Sequence, residues 1–370
     1  MSEKERYDMN SPQAKEVIDE IVHGTFVCEG TMVAAALNFP KVTVPIPGDE
    51  SRVKALDITS GGIVYGGTSG KACHLLVGMY GGVTGIVFDM GVVEGADSCA
   101  AMCCGEKKFV ACVNGKSGGR TIMRQLQELP FDCIQEWEIF RKPYEDLGQV
   151  TGGERIIHAV RDDERKIVVG ITEGHLFLVD IDNAKIEIVG EVKGAGRLAV
   201  GSGGNVFGFD EGDSLWRFDL CKKELVRRAV ELPDGNWVDS RLVWGRDVFS
   251  GKLYTADGDG NLFSFTEDGG FSGKLGRTRF AEISCMAATF DGRVFGFCGE
   301  GISNMFCYDP DSGEVRDLGA AVSVLERRRY GYVFGDAVVG RDGQIFFGED
   351  DDLGHLWIYF PSVCKKERQD

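Results

Sequence analysis

From Arg52 onward, short apolar runs alternate with glycine-bearing turns, and the alternation repeats. The clearest copy lies near the C-terminus, where Gly343-Gln-Ile-Phe-Phe-Gly348 is followed after a turn by Leu356-Trp-Ile-Tyr359. Apolar and aromatic runs of four to eight residues bounded by turn residues read as strands. The apolar residue opening the second strand recurs at Leu75, Ile122, Leu176, Leu215, Leu262, Met305 and Leu356, a spacing of about 47 residues. A companion strand precedes each anchor, around Tyr65, Val110, Val168, Phe207, Tyr254, Phe295 and Phe346. A strand rich in small residues precedes each companion, as in Ser98-Cys-Ala-Ala-Met-Cys and Ser284-Cys-Met-Ala-Ala. After most anchors a further strand ends in glycine, as in Asp317-Leu-Gly319.

Four strands in about 40–50 residues is the length and strand count of a β-propeller blade. Small residues suit the inner strands, which converge on a narrow channel; aromatics fill the widening space outside. Seven anchors predict an all-β, seven-bladed propeller of four-stranded blades spanning 41–361, with a tail at 362–370. The last unit lacks an outer strand of its own. Lys41-Val-Thr-Val-Pro-Ile-Pro47, which belongs to no unit, is expected to supply it and close the ring, which removes exposed sheet edges. Residues 1–40 form an N-terminal extension. Ser11-Pro12 has the form of an N-cap with Pro at the first helical position, which predicts a helix over about 12–23. Thr25 to Phe39 reads equally as a strand or a small-residue helix. Two insertions, 126–142 and 323–332, break the rhythm and are expected on a binding face.

The units resemble those of bacterial β-propellers carrying "G-x-hydrophobic-Tyr-G…G-x-Leu-Phe-x-Tyr-Asp-Pro" repeats, as in Asn304-Met-Phe-Cys-Tyr-Asp-Pro-Asp-Ser-Gly313. Some polysaccharide lyases share this pattern. The signatures of WD40 and kelch repeats are absent. The resemblance implies a fold, and lyase chemistry only as one of many functions that propellers carry.

Composition supports the all-β reading: 52 of 370 residues are Gly, about twice the usual share of roughly 7%. The formal charge of −17 repels phosphates and argues against a nucleic-acid partner. The polar N-terminus and the lack of a long apolar run argue against a membrane partner and predict a cytoplasmic protein. Its 12 cysteines then read as reduced thiols, several of them small hydrophobes within strands.

In a propeller the inner-strand starts surround the channel mouth. The corresponding positions here hold Ala55, Ala100, His158, Arg197, Trp244, Cys285 and Asp336, with Arg155, Asp239, Arg241 and Glu282 in adjoining loops. This set predicts binding of a small carbohydrate-like or carboxylated ligand at the mouth. Arg197 and Arg241 would clamp a carboxylate and Trp244 would stack on a sugar ring, with Asp336 and Glu282 as further ligand-binding candidates. A lyase on uronic-acid-containing oligosaccharides would use His158 as base and Tyr330 or Tyr332 from the second insertion as acid. The competing readings are a structural His158, an Arg197–Asp336 pair across the channel, and a non-catalytic scaffold for a protein partner. His74, His175 and His355 hold equivalent turn positions in different units, so no metal site is expected. Asp257-Gly-Asp-Gly-Asn261 lacks the later positions of a calcium loop, and Glu349-Asp-Asp-Asp352 reads as a solvated turn. Cys99, Cys103, Cys104 and Cys112 fit no metal spacing. No nucleotide-binding or other cofactor motif occurs, and no cofactor is expected.

Overall fold

The computed structural model describes residues 10–22, 29–37, 46–81, 84–126, 143–162, 164–193, 196–238, 242–324 and 329–362. It is all-β with one short helix, Pro12–Val22. Ser11 caps that helix, its Oγ accepting the Ala14 amide at 3.0 Å. Val17 is buried beside Ile302 and Ala320, and Gln13 Oε1 accepts the Glu300 amide at 3.1 Å. The helix is thereby fixed to the face of the molecule where its own capping and apolar stripe direct it.

Within the sheets, most strands pair antiparallel with the next strand in sequence. Five sheets stand apart: four of four strands and one of five. The sixth is one eight-stranded sheet running from Arg52–Ile58 to Glu145–Gln149. The expectation of seven separate four-stranded blades is corrected here. The two N-terminal units are joined by the Ser69↔Ser98 pairing and by the Gly70 amide bonding to Asp97 O at 2.8 Å. Glycine permits that approach: a Cβ at Gly67 would stand 2.3 Å from Cys99 Cβ.

The outer strand of the last sheet is also corrected. Thr31–Ala36 pairs with His355–Phe360, from Thr31↔Phe360 to Ala36↔His355. Residues 41–45 lie outside the described residues. Thr31–Ala36 carries small side chains against Leu356 and Trp357, and both faces are covered, so it lacks the alternation that marks a half-exposed strand. Its anchor is Glu29. That carboxylate pairs with Arg293 at 3.3 Å and Arg316 at 2.5 Å, while Glu29 O accepts the Tyr359 hydroxyl at 2.8 Å.

The core sits between sheets. Alternate residues of one strand face different neighbours: Phe347, Trp357 and Tyr359 pack with Phe295 and Phe297, while Phe346, Leu356 and Ile358 pack with Val53, Leu56 and Val64. Strands covered on both faces explain the near-continuous apolar runs. No helix among the described residues is long and apolar enough to cross a membrane.

Candidate functional site at the channel

The inner strands surround a channel divided into two compartments. The one at their starting ends has a volume of about 730 Å³ and is reached by Lys54, Arg155, His158, Arg197, Glu282 and Asp350. The other has a volume of about 310 Å³ and also touches His158, Arg197 and Asp336. The divider is an ion pair spanning the channel. Arg197 Nη1 donates to Asp336 Oδ1 at 2.6 Å, and its Nη2 donates to Gly335 O.

This divider belongs to a belt of links between inner strands of neighbouring units. Those strands do not pair directly with one another, so backbone groups facing the next unit need other partners. Asp336 Oδ2 accepts the Leu56 amide at 2.8 Å, and Asp57 Oδ2 accepts the Cys104 amide at 2.5 Å. His158 Nδ1 accepts the Leu198 amide at 3.1 Å, and Trp244 Nε1 donates to Arg197 O at 3.1 Å. The bond to Leu198 leaves the proton of neutral His158 on Nε2. Burial, with the Arg197 charge adding to it, pulls the His158 pKa down to about 3.

Four of the sequence-predicted residues, His158, Arg197, Trp244 and Asp336, therefore converge on the channel wall. Glu282 reaches the mouth compartment from the residue before Ile283–Ala288, with a left-handed φ of 65°. Tyr330 pairs with Val322 in an isolated bridge and is not among the residues lining either compartment. Arg241 and Asp239 lie outside the described residues, as do 127–142 and 325–328 of the two insertions. The cations that reach the mouth already hold carboxylates: Arg155 pairs with Asp97 at 2.6 Å and Lys54 with Asp350 at 3.7 Å. Ser303, buried against the mouth compartment, has an Oγ without a hydrogen-bond partner among the described residues.

The three histidines expected in turns instead open the strands His74–Gly81, His175–Asp180 and His355–Phe360 of three different units, each beside a carboxylate. His74 lies 3.0 Å from both Glu50 and Asp89, His175 lies 2.9 Å from Glu154, and His355 lies 3.1 Å from Glu349. Among the described residues no group of three or more ligating side chains has a metal-holding arrangement. Asp257 closes its own hairpin, accepting the Asn261 amide at 2.9 Å and Nδ2 at 2.7 Å. The acidic turn after Ile345–Glu349 is not solvated: Glu349, Asp350 and Asp351 are 0%, 3% and 2% exposed. Burial, with the Glu349 charge adding to it, pushes the Asp351 pKa up to about 7. No local pattern signals this burial, because the turn is covered by residues distant in the chain: Gly354 packs on Ser51, and Asp350 N bonds to Val333 O at 2.8 Å.

No family model matches the chain, and no curated protein matches it. Solved structures do. Virginiamycin B lyase of Staphylococcus aureus superposes with a TM-score of 0.61 at 8% identity, over 90% of this chain and 100% of that one. The fold is a β-propeller. A catalytically inactive histidine-to-alanine variant of that lyase, solved with quinupristin, gives a TM-score of 0.60, again at 8% identity and over 90% of this chain and 100% of that one. The extracellular domain of a protein described as a hybrid two-component system of Bacteroides thetaiotaomicron gives 0.58 at 12% identity. There the match covers 90% of this propeller but 41% of the other chain, so the chain spans about two fifths of that relative. At such identities the likeness carries the fold alone.

Proposed function

We propose that this propeller binds a small carbohydrate-like ligand in the mouth compartment. The observation that carries the reading is the compartment itself: about 730 Å³, within the range of roughly 300–1,000 Å³ for small-molecule sites. Its described cations are already paired, which favours a neutral, hydroxyl-rich ligand over a carboxylate. Unused hydrogen-bonding capacity, such as Ser303 Oγ, suits hydroxyl groups. Lyase chemistry has weaker support. A histidine with a pKa near 3 is a poor base at neutral pH, and Tyr330 stands apart from the compartment. The scaffold reading rests on insertions whose larger parts, 127–142 and 325–328, lie outside the described residues. Thermal-shift screening against neutral and uronic-acid oligosaccharides tests the proposal. Neutral sugars are expected to raise the melting temperature, and Ser303→Ala to weaken that binding about fivefold. No unsaturated uronate product is expected in the ultraviolet. A screen without any saccharide shift overturns the binding reading, and product formation restores the lyase.

We infer further that the eight-stranded sheet is two blades sharing one bridge, which gives a seven-bladed ring closed at Thr31–Ala36. The apolar cluster shared by the first and last sheets supports closure. A cytoplasmic setting is proposed on the cysteines: nine are free among the described residues, eight of them buried.

A further inference from the structure

The compartment beyond the Arg197–Asp336 pair has a different chemistry from the mouth. Its volume is about 310 Å³, and aliphatic side chains such as Leu56, Ile58, Met102, Val200 and Met286 form much of its wall. Arg246 also reaches it. This side chain is half-buried, and its Nε is shut off from solvent without a hydrogen-bond partner among the described residues. The adjacent carboxylate is turned away. Asp247 accepts the Phe249 amide at 3.0 Å and the Ser250 hydroxyl at 2.5 Å, which ties it to its own loop. That loop holds Phe249 74% exposed, edge-on to exposed Phe290 with ring centroids 5.2 Å apart. Val248, 59% exposed, joins this apolar lip to the compartment wall.

A partly desolvated guanidinium with an unmet donor is unfavourable unless an anion completes it. We propose that this compartment is a second binding site, for a small monocarboxylate with an aliphatic or aromatic body. The carboxylate bonds to Arg246, the body fills the aliphatic pocket, and Phe249 and Phe290 cover its outer end. The volume sits at the lower limit for small-molecule sites, which restricts the ligand to a short chain or a single ring. The molecule's charge of −17 gives no long-range attraction for an anion, so recognition depends on this short-range contact.

Octanoate and phenylacetate are suitable probes, with octanol as the neutral control. Calorimetric titration and tryptophan fluorescence, to which Trp244 in the compartment wall contributes, report binding to the full chain. The expected result is saturable binding of octanoate and a shift in tryptophan emission that Trp244→Phe removes, with octanol at least tenfold weaker. Arg246→Gln should lose octanoate binding by about tenfold or more, and Arg246→Lys should retain part of it. Arg155→Ala, on the mouth side, should leave it unchanged. Because its Nε has no hydrogen-bond partner among the described residues, Arg246→Gln is expected to melt like the parent; if it does not, the octanoate–octanol comparison on the unaltered protein decides. No binding at millimolar octanoate, equal binding of octanol, or equal affinity in a folded Arg246→Gln overturns the proposal. The two sites are separate, so failure here leaves the mouth reading intact.

Discussion

His158 and Asp351 are buried titratable residues whose protonation works on stability in opposite senses. His158 has an ordinary value of 6.5 and is pulled down to about 3 in the fold. The unfolded chain therefore binds the extra proton, and stability falls as pH drops from 6.5 towards 3. His158→Asn keeps an acceptor for the Leu198 amide and should flatten that limb, gaining about 2 kcal/mol over the parent at about pH 4.5. Asp351 runs the other way, from an ordinary 3.8 to about 7. Here the folded state holds the proton, so stability falls as pH rises from 3.8 to about 7 and then levels. Asp351→Asn should stabilise by on the order of 2 kcal/mol at about pH 8 and by little at about pH 4. Urea titrations across pH check both, and parallel curves for parent and variant would overturn either assignment. The Arg197–Asp336 pair sits between, with side-chain exposures of 25% and 15%. Asp336→Ala strands the Leu56 amide as well as Arg197 and should cost about 3 kcal/mol. Adding Arg197→Ala should cost less than the separate losses combined, because the two share one bond.

At the scale of elements, the join between the N-terminal strand and the last sheet is the sharpest test of architecture. Ala34 donates its amide to Ser323 Oγ at 3.0 Å and lies opposite Trp357. Ala34→Pro removes that donor and distorts the outer strand, and should cost at least about 2 kcal/mol. Denaturant unfolding with limited proteolysis reads it; an unchanged midpoint would show that the strand does not hold the last sheet. Most strands were legible because their apolar runs recur with fixed turn residues. Thr31–Ala36 was not. Its four central residues, Met32 to Ala35, are all buried, so it shows no period of two, and it finds its partner more than 300 residues away. The merged N-terminal sheet was equally hidden, since a bridge at Ser69 and Ser98 depends on how closely Gly67 lets Cys99 approach.

For the whole molecule, a charge of −17 on a compact body means self-repulsion that salt screens. Moderate sodium chloride should raise the melting temperature by a few degrees. A decrease would mean that surface ion pairs such as Lys71–Asp49 outweigh the net repulsion, although exposed pairs of this kind contribute little.

The sequence by itself determined the repeat, the strand order within most units and several of the residues that ring the channel. Each of those follows from local periodicity, turn chemistry and position in the repeat. Only the tertiary structure decided what the ring residues do. His158, Asp336 and Trp244 bond to backbone of neighbouring inner strands, and Arg197 spans to Asp336, because those strands approach without pairing. It also decided that Glu349, Asp350 and Asp351 are buried and that Arg246 reaches a largely aliphatic compartment with its Nε unbonded among the described residues. Burial and partnership are set by segments far apart in the chain, and no local pattern encodes them.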